Sequence, residues 1–431
     1  MEQAQRPQRT GIYLGAAQVL ANPDYVPRLR DRIGLNLAIV SYAGAVPPEV
    51  VAKSPFDGTP LSDACLHALV ARHLDGGPVD PQEFDLVRAE VGPSVRQADD
   101  AAFRQALAQL RGDGVEIWIC ASSWTHRRLM YCPSNPAVQE WFEAYYRYLA
   151  TGYDADGIDL THARFPMGSF PRGLLACTCT DCTAAAARLG YDMAQMTAAL
   201  RAAHGRLAGL DGRRLAAAAA QGLGPFDLWQ ALGFETGVAD WFRCRCDLLG
   251  QQLARSRQAV KGAAGADYVF GTDTHPASLA SFVGHDHTRW AAFSDFASPL
   301  VSHISAFVCD TLIVWARWLR AQQPALTEAE ALQAVYRLVG YGDLELPTSI
   351  AGYELDHPER LAHLLPLEEL ILCDLTKARL WLPPEVPSYP IIHGTGWPRP
   401  AIDAIVRRAA AAGHDGIMWQ GTDELMEYSL R

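Results

Sequence analysis

The sequence lacks long apolar runs. Its longest runs, such as residues 215–220, are far shorter than the ~20 residues that a membrane-spanning helix needs. Residues 1–10 are polar and lack the apolar stretch and the small-residue cleavage site of a secretory signal. We therefore expect a globular cytoplasmic protein that has no membrane as a partner.

Positive charge is also scarce. The 431 residues include 37 Lys and Arg against 48 Asp and Glu, which gives a formal net charge of −11. Binding to nucleic acid or to anionic lipid depends on clustered Lys and Arg, because these side chains displace counterions from phosphates. The charge balance therefore argues against nucleic acid as a partner, while self-association into a homo-oligomer stays open.

Internal repeats and low-complexity linkers are absent, so residues 1–431 are expected to form a single domain. Short β-rich runs alternate with helical stretches, which is typical of a parallel sheet covered by helices. Eight such runs predict an α/β fold, a (β/α)8 TIM barrel, with strands at residues 11–17, 36–42, 115–121, 157–161, 268–272, 299–303, 389–394 and 416–420. Three longer stretches are predicted helical insertions, at about residues 43–114, 183–266 and 304–388.

Two helix starts are marked by an asparagine followed by a proline. Asn22 is expected to cap a helix that runs to Arg32, and Asn135 is expected to cap the helix after the third strand. Further helices are predicted inside the insertions, at residues 238–261, 304–319 and 326–338.

The strongest local motif is a cluster of cysteines. Cys177, Cys179 and Cys182 lie within six residues, and Cys132 follows the third strand, whose loop adjoins that of the fourth strand in a barrel. In a reducing compartment we expect free thiols or metal ligands rather than disulfides, and zinc takes four thiolates in a tetrahedron. Four protein ligands leave no open position, so the spacing predicts structural zinc.

These motifs resemble a known family. The Cys132 and CxCxxC cluster is similar to the zinc cluster of the family forty-two glycoside hydrolases, the TIM-barrel β-galactosidases. The phrase Cys-Pro-Ser-Asn-Pro from Cys132, the strand Asp-Gly-Ile-Asp-Leu from Asp156, and the segment 283–299 resemble uncharacterised hypothetical glycosyl hydrolase barrels. The resemblance spans most of residues 11–424 and implies a barrel that hydrolyses a carbohydrate.

The sequence departs from these families where their acid/base glutamate stands. The β-galactosidases carry an Asn-Glu pair shortly before the CxCxxC motif, whereas here no Glu lies between Asp159 and Cys177. The strand from Asp156 also resembles the fourth strand of chitinase-type barrels, but Ala163 occupies the position of their catalytic Glu. The catalytic residues must therefore be found among other side chains.

Reactive groups in a TIM barrel lie at the C-terminal ends of the strands. There Asp159 and Asp273 are the predicted catalytic carboxylates, because glycoside hydrolysis uses one carboxyl as acid and another as base or nucleophile. His162 is a further catalytic candidate, since an imidazole exchanges protons near neutral pH, and His303 is its alternative. The predicted substrate-binding residues are Tyr42, Trp124, His126, Arg164, His275, His303, His393, Trp397 and Gln420.

Structural roles compete with these assignments. Asp159 and Asp273 are also suited to loop turns at the barrel rim, and Trp397 to packing against that rim. Asp286 and Asp295 precede the sixth strand and are expected to be structural, while His285 and His287 are expected to be solvated.

The leading hypothesis is an enzyme that hydrolyses a glycosidic bond of a small saccharide or glycoside. One alternative is an acidic-sugar hydrolase that uses Asp159 and His162 for chemistry and Arg164 for the substrate carboxylate. Another is a noncatalytic carbohydrate-binding barrel, consistent with the missing Glu. Fold alone does not distinguish them.

Overall fold

The structure is a computed structural model that describes residues 9–42, 100–123, 125–126, 129–165, 173–357, 360–393 and 397–421. Among these residues no helix is both long enough and apolar enough to cross a membrane.

Eight parallel strands form a nearly closed barrel, which confirms the predicted fold class. They are β1 (Arg9–Gly15), β2 (Leu37–Ser41), β3 (Glu116–Ser122), β4 (Gly157–Thr161), β5 (Val269–Thr274), β6 (Ala297–Pro299), β7 (Ile391–His393) and β8 (Gly416–Gln420). Their order in the sheet is β6-β5-β4-β3-β2-β1-β8-β7. A single parallel bridge from Ala297 to Ser388, just before β7, joins the two edges.

Helices cover the outside of the barrel. They are α1 (Ala16–Ala21), α2 (Tyr25–Ile33), α3 (Asp100–Gly112), α4 (Pro136–Gly152), α5 (Thr180–Arg188), α6 (Met193–Ala208), α7 (Gly212–Gln221), α8 (Pro225–Ala231), α9 (Thr236–Ala264), α10 (Asp310–Gln322), α11 (Glu328–Val339), α12 (Leu361–Leu364), α13 (Leu367–Trp381) and α14 (Arg399–Ala411). Helices α5 to α9 fill the second predicted insertion, and α10 to α13 lie in the third. Residues 43–99 of the first lie outside the described residues.

Two hydrophobic layers result from the alternation of side chains along each strand. Inward-pointing residues fill the barrel and include Leu37, Ile39, Trp118, Phe296, Tyr389, Ile391 and Met418. Outward-pointing residues such as Ile12, Val40 and Ile119 pack against the helices. The interior is therefore packed toward one end, and its polar side chains lie toward the other.

Helix caps follow the prediction at one site and depart from it at another. The Asn135 side chain accepts hydrogen bonds from the backbone N–H groups of Ala137 and Val138, which confirms it as the cap of α4. Asn22 instead ends α1, and α2 begins at Tyr25 and runs to Ile33, so the helix predicted to Arg32 is present but Asn22 does not cap it. The chain after β1 already forms a helical turn, which the asparagine closes.

The sixth strand also lies earlier than predicted. Residues 299–303 are apolar enough to suggest a strand, but β6 ends at Pro299 because the backbone turns there. The N–H of Val301 donates to the Pro299 carbonyl at 2.9 Å, and a π-helix begins at Ile304. Leu300 and His303 therefore follow the strand instead of forming it.

A repeated motif joins the strands at the N-terminal end of the barrel. A side-chain oxygen of Asn36, Asp156, Asp295 and Asp415 accepts a backbone N–H at the start of a neighbouring strand, from Thr10, Ile117, Phe270 and Ser388 respectively. In each pair the backbone N–H of the Asx residue donates to the carbonyl of the same partner, at 2.7–3.0 Å. These paired hydrogen bonds fix the register of four strand junctions.

Candidate functional site

The mouth, meaning the C-terminal end of the barrel, contains a group of ionisable side chains at the ends of β4 and β5. Asp273 is 4% exposed and accepts a hydrogen bond from the Thr161 hydroxyl at 3.2 Å. Its other oxygen lies 3.8 Å from the guanidinium of Arg164, which is itself buried. The backbone N–H of His162, a residue with a left-handed φ of 62°, completes this group at 3.4 Å from Asp273. The structure thus brings together three predicted site residues.

Asp159 lies one layer deeper in the barrel and is 1% exposed. It pairs in register with Cys120 of β3 and Gly271 of β5, whose side-chain positions face the barrel interior. Its Oδ2 accepts a hydrogen bond from the Tyr13 hydroxyl at 2.6 Å. Its Oδ1 is buried and has no hydrogen-bond partner among the described residues. Burial, and then the nearby charge of Asp273, raises the pKa of Asp159 well above its usual value.

His275 follows β5 and is 2% exposed, yet neither ring nitrogen has a partner among the described residues. Burial, together with the charge of Arg164, lowers its pKa, so the ring is neutral. Phe307 lies between these groups, with its ring 5.3 Å from that of His275 and 4.8 Å from the Arg164 guanidinium carbon. A neutral imidazole and an aromatic ring therefore adjoin the ion pair.

Two further histidines adjoin the other groups at the mouth. The rings of His303 and His393 are 5.5 Å apart, and the His303 ring lies 5.4 Å from that of Phe307, tilted by 35°. Burial and the neighbouring His393 lower the pKa of His303 to about 4, while a hydrogen bond with Gln420 acts in the opposite direction. These predicted residues therefore form one continuous cluster with His275 and Arg164.

Tyr42 and Trp397 are not brought to this cluster. The Tyr42 hydroxyl lies 3.1 Å from that of Tyr153, and its ring packs edge-on against Phe103 of α3 and Tyr145 of α4. It follows β2 on the outward side, so it belongs to the helical layer. Trp397 is half-buried and packs against the same outer core.

Two other predicted binding residues cannot be placed at the mouth. Trp124 lies outside the described residues, and for His126 only the backbone is described, in a two-residue strand that pairs with Leu129–Met130. Both stay predictions.

The prediction of solvated histidines at 285 and 287 was wrong, because both are buried. His285 accepts the backbone N–H of His275 at its Nδ1, at 3.0 Å, and its Nε2 donates to the carbonyl of Ala163, also at 3.0 Å. Burial lowers its pKa to about 4. His285 therefore ties the loop after β4 to the end of β5.

Tyr13 and Phe307 were missed from the sequence. Tyr13 lies on β1 between Gly11 and Gly15, and side chains alternate along a strand, so Tyr13 points into the barrel. This alternation is the sequence signal that could have identified it. Phe307 lies in a π-helix within the short apolar run at residues 306–309, and nothing in that run marks it as a site residue. π-helical turns are frequent at functional sites, but sequence alone does not reveal them.

The four cysteines of the motif lie together beside the loop after β4. Their sulfur atoms all lie within 4.8 Å of one another. The Cys132 sulfur lies 3.3 Å from that of Cys179 and 3.4 Å from that of Cys182. The backbone N–H of Cys182 points to the Cys179 sulfur at 3.4 Å, and hydrogen bonds from its neighbours lower the pKa of Cys179. The predicted cluster of four cysteines is thus confirmed as a group.

No protein-family model matches the sequence, and no curated protein matches it. Among solved structures, the chain is similar to the catalytic domain of a beta-amylase from Paenibacillus polymyxa. That similarity has a TM-score of 0.45 and 9% identity, over 98% of this chain and 97% of that chain. It is also similar to alpha-L-fucosidase isoenzyme 2 from Paenibacillus thiaminolyticus, with a TM-score of 0.27 and 12% identity over 96% of this chain and 64% of that chain. These distant likenesses carry no argument about activity.

Proposed function

We propose that this protein is a glycoside hydrolase-like enzyme that cleaves a glycosidic bond of a small saccharide or glycoside. The observation that carries this proposal is Asp159, a buried carboxyl with a raised pKa and one oxygen that no described residue binds. A carboxyl whose pKa is raised by burial is suited to the role of a general acid. A second carboxylate, Asp273, lies close enough to raise the pKa of the first.

The two carboxyl groups have environments that suit different roles. Asp159 would protonate the glycosidic oxygen, and Asp273 would act as the base or nucleophile on the other side of the bond. The Arg164 guanidinium, 3.8 Å away, balances the negative charge of Asp273. This division of roles follows the general rule that paired titratable groups with different surroundings act as acid and base.

The rest of the mouth offers groups that recognise a sugar. His275 presents two ring nitrogens without partners among the described residues, and His303 presents its Nδ1. Neutral imidazoles donate and accept hydrogen bonds, as sugar hydroxyls do. Phe307 supplies an aromatic face beside them.

The test is a screen of aryl glycosides followed by Asp159→Asn and Asp273→Asn. Without its acid, the Asp159 variant should lose about 10²- to 10⁴-fold in kcat on substrates with poor leaving groups. It should lose far less on dinitrophenyl glycosides, because their leaving group departs without a proton. Asp273→Asn should lose activity on both kinds of substrate.

Asp374→Asn is the matched control, since Asp374 is equally buried but both of its oxygens already accept hydrogen bonds from within the protein. It should retain activity per folded molecule. Full turnover in both mouth variants would refute the carboxylate pair. Sugar binding without turnover by the wild-type protein would favour the noncatalytic alternative, and selective loss of acidic substrates in Arg164→Ala would favour the acidic-sugar hydrolase.

We also propose that Cys132, Cys177, Cys179 and Cys182 hold one structural zinc ion. Zinc–thiolate bonds of about 2.3 Å place tetrahedral sulfurs about 3.8 Å apart. The measured separations of 3.3 and 3.4 Å, with all pairs within 4.8 Å, accommodate such an ion with small side-chain shifts. The ion would fasten the loop after β3 to the loop after β4.

Elemental analysis of protein purified without chelator tests this proposal. We expect one zinc per chain, and Cys132→Ser should lower both zinc content and the midpoint of thermal unfolding. Cys373→Ser is the control, because Cys373 is partly buried and lies outside the cluster. Protein without zinc that unfolds at the same temperature as zinc-loaded protein would contradict the proposal.

A further inference from the structure

We infer that Tyr13 is a positioning residue, which holds one oxygen of Asp159 so that the other oxygen, Oδ1, delivers the proton to the substrate. This inference rests on the proposed function, since it assigns a task within the same site. It concerns a residue on β1, on the side of the barrel away from Asp273 and β5.

The contact between the two side chains crosses the barrel interior. The Tyr13 hydroxyl donates to Asp159 Oδ2 at 2.6 Å, and the Met418 sulfur lies 3.8 Å from the same hydroxyl oxygen. The titratable groups that face Asp159 are Tyr13 from β1, Cys120 from β3 and Asp273 from β5. Among these described neighbours, Tyr13 is the hydrogen-bond donor to the Asp159 carboxyl.

A second tyrosine–aspartate pair in the same chain shows what is unusual here. The Tyr341 hydroxyl donates to Asp374 Oδ2, also at 2.6 Å, and both residues are fully buried. There, however, the second oxygen accepts the backbone N–H of Ser278 at 2.8 Å. Both oxygens of Asp374 therefore have partners within the protein, whereas Oδ1 of Asp159 has none among the described residues. The Tyr341–Asp374 pair thus has its hydrogen bonds satisfied within the protein, whereas the Tyr13–Asp159 pair has one carboxyl oxygen available for a ligand.

This difference determines where the acidic proton lies. In the neutral form of Asp159, Oδ2 is the carbonyl oxygen that accepts from Tyr13, so the proton is on Oδ1. During cleavage the Oδ1–H bond breaks and a new O–H bond forms on the leaving-group oxygen. The bond from that oxygen to the anomeric carbon breaks, and its electron pair stays on the oxygen. The anomeric carbon gains a bond to Asp273 or to a water that Asp273 deprotonates. Asp159 is left as a carboxylate, which the Tyr13 hydrogen bond stabilises.

Tyr13→Phe removes the hydroxyl and preserves the ring. Because a hydrogen bond from Tyr13 favours the carboxylate, its loss should move the titration of Asp159 upward by roughly 1 to 2 pH units. This is measured by NMR on protein labelled at the aspartate carboxyl carbon, and the signal is assigned by its disappearance in Asp159→Asn. Tyr341→Phe should leave the Asp159 signal in place.

In kinetics, Tyr13→Phe should lower kcat about tenfold or more on poor leaving groups and leave KM nearly unchanged. The alkaline limb of its pH profile should move upward with the carboxyl signal. An Asp159 titration that is the same in wild type and Tyr13→Phe would overturn the inference. So would an equal effect of Tyr341→Phe.

The NMR titration needs no substrate, so the two proposals fail separately. If no glycoside is cleaved but the Asp159 signal shifts in Tyr13→Phe, the contact is real and the proposed reaction is wrong. If Tyr13→Phe does not fold, 3-fluorotyrosine at position 13 keeps the ring and the hydroxyl donor in place. A downward shift of the Asp159 titration is then the expected result, because the fluorinated phenol is the stronger hydrogen-bond donor. An unchanged titration or an upward shift would then count against the inference.

Discussion

The two ends of the barrel use the same residue type in opposite ways. At the N-terminal end, Asp156 and Asp295 each accept a backbone N–H and an arginine. At the mouth, Asp159 and Asp273 each have one buried oxygen without a hydrogen-bond partner among the described residues. Carboxylates at the N-terminal end complete the sheet, whereas those at the mouth are the ones to which we assign a role in the proposed reaction.

The difference agrees with the physics of a buried polar group. An unsatisfied buried oxygen costs free energy, so a fold retains one mainly where a ligand or a reaction uses it. The N-terminal end of a TIM barrel serves stability, while its C-terminal end holds the reactive groups. Variants at the two ends should therefore change different properties.

The mouth should be the more acid-sensitive end. His285 ties its loops together as a neutral ring, with a pKa lowered by burial to about 4. In the unfolded chain a histidine titrates near pH 6.5, so below that pH the unfolded state binds a proton that the folded state does not. The contribution of His285 is thus fully present above pH 6.5 and is lost as pH falls toward 4, by about 1.4 kcal/mol per pH unit.

In His285→Gln this dependence should disappear. Urea unfolding of wild type and variant between pH 7 and 4.5 measures the difference in slope, which should total roughly 2 to 3 kcal/mol. His204→Gln, at an exposed position, is the control and should keep the wild-type slope. Equal slopes in His285→Gln and wild type would show that the ring is not held neutral.

At the opposite end, Asp295→Ala should destabilise the protein by about 2 kcal/mol. The change leaves Arg257 and Lys261 without their shared carboxylate and the backbone N–H of Phe270 without its acceptor. The side chain is about one fifth exposed, so solvent moderates the loss. Activity per folded molecule should not change.

Asp31→Ala is the matched control, since its carboxylate is 73% exposed and lies 3.6 Å from Arg30. It should change the free energy of unfolding by less than about 0.5 kcal/mol. If Asp295→Ala were as mild as Asp31→Ala, the N-terminal carboxylates would not be the structural ties that we describe.

Much of the barrel could be predicted because its signals are local. The short β-rich runs at residues 157–161 and 416–420 predicted strands with the observed bounds, and Asn135 followed by a proline marked the start of α4. The four cysteines could be named because three of them form a short motif and the fourth lies in the loop of the adjacent barrel strand. These features depend on spacing along the chain.

Other features depend on the direction in which the chain turns after a strand and on contacts between distant parts of the sequence. Tyr42 directly follows β2 and was expected at the mouth, but its ring packs between the barrel and the helices, against Phe103 of α3 and Tyr145 of α4. His285 lies in a polar stretch, which favoured a solvated loop, and only the approach of Ala163 and His275 buries it. The Tyr13 contact with Asp159 joins residues 146 positions apart, which no local pattern reveals.

Asp159→Asn tests how a buried carboxyl at the mouth affects the free energy of unfolding. Because the folded-state pKa of Asp159 is raised, its contribution to stability is present below the unfolded pKa near 4 and is lost as pH rises through the folded value. A neutral amide of similar shape avoids this loss. The variant should therefore equal or exceed wild type by about 1 kcal/mol at pH 8, and the advantage should vanish near pH 4, as urea unfolding at the two pH values would show. A variant that is less stable at pH 8 by several kcal/mol would make Asp159 a structural residue of the rim.

The smallest expected effect is that of Asn36→Ala, which tests whether the N-terminal motif needs charge. Asn36 occupies the same position as Asp156 and Asp295, and its Oδ1 accepts the N–H of Thr10 at 3.0 Å, but it is neutral. Removing a neutral acceptor from a solvent-accessible hydrogen bond should lower the free energy of unfolding by about 0.5 to 1 kcal/mol, because water replaces the lost partner. Asn36→Asp keeps the acceptor and should retain most of the stability. If Asn36→Ala instead costs as much as Asp295→Ala, the backbone hydrogen bond, rather than the ion pairs with Arg257 and Lys261, provides the stabilisation at this end of the barrel.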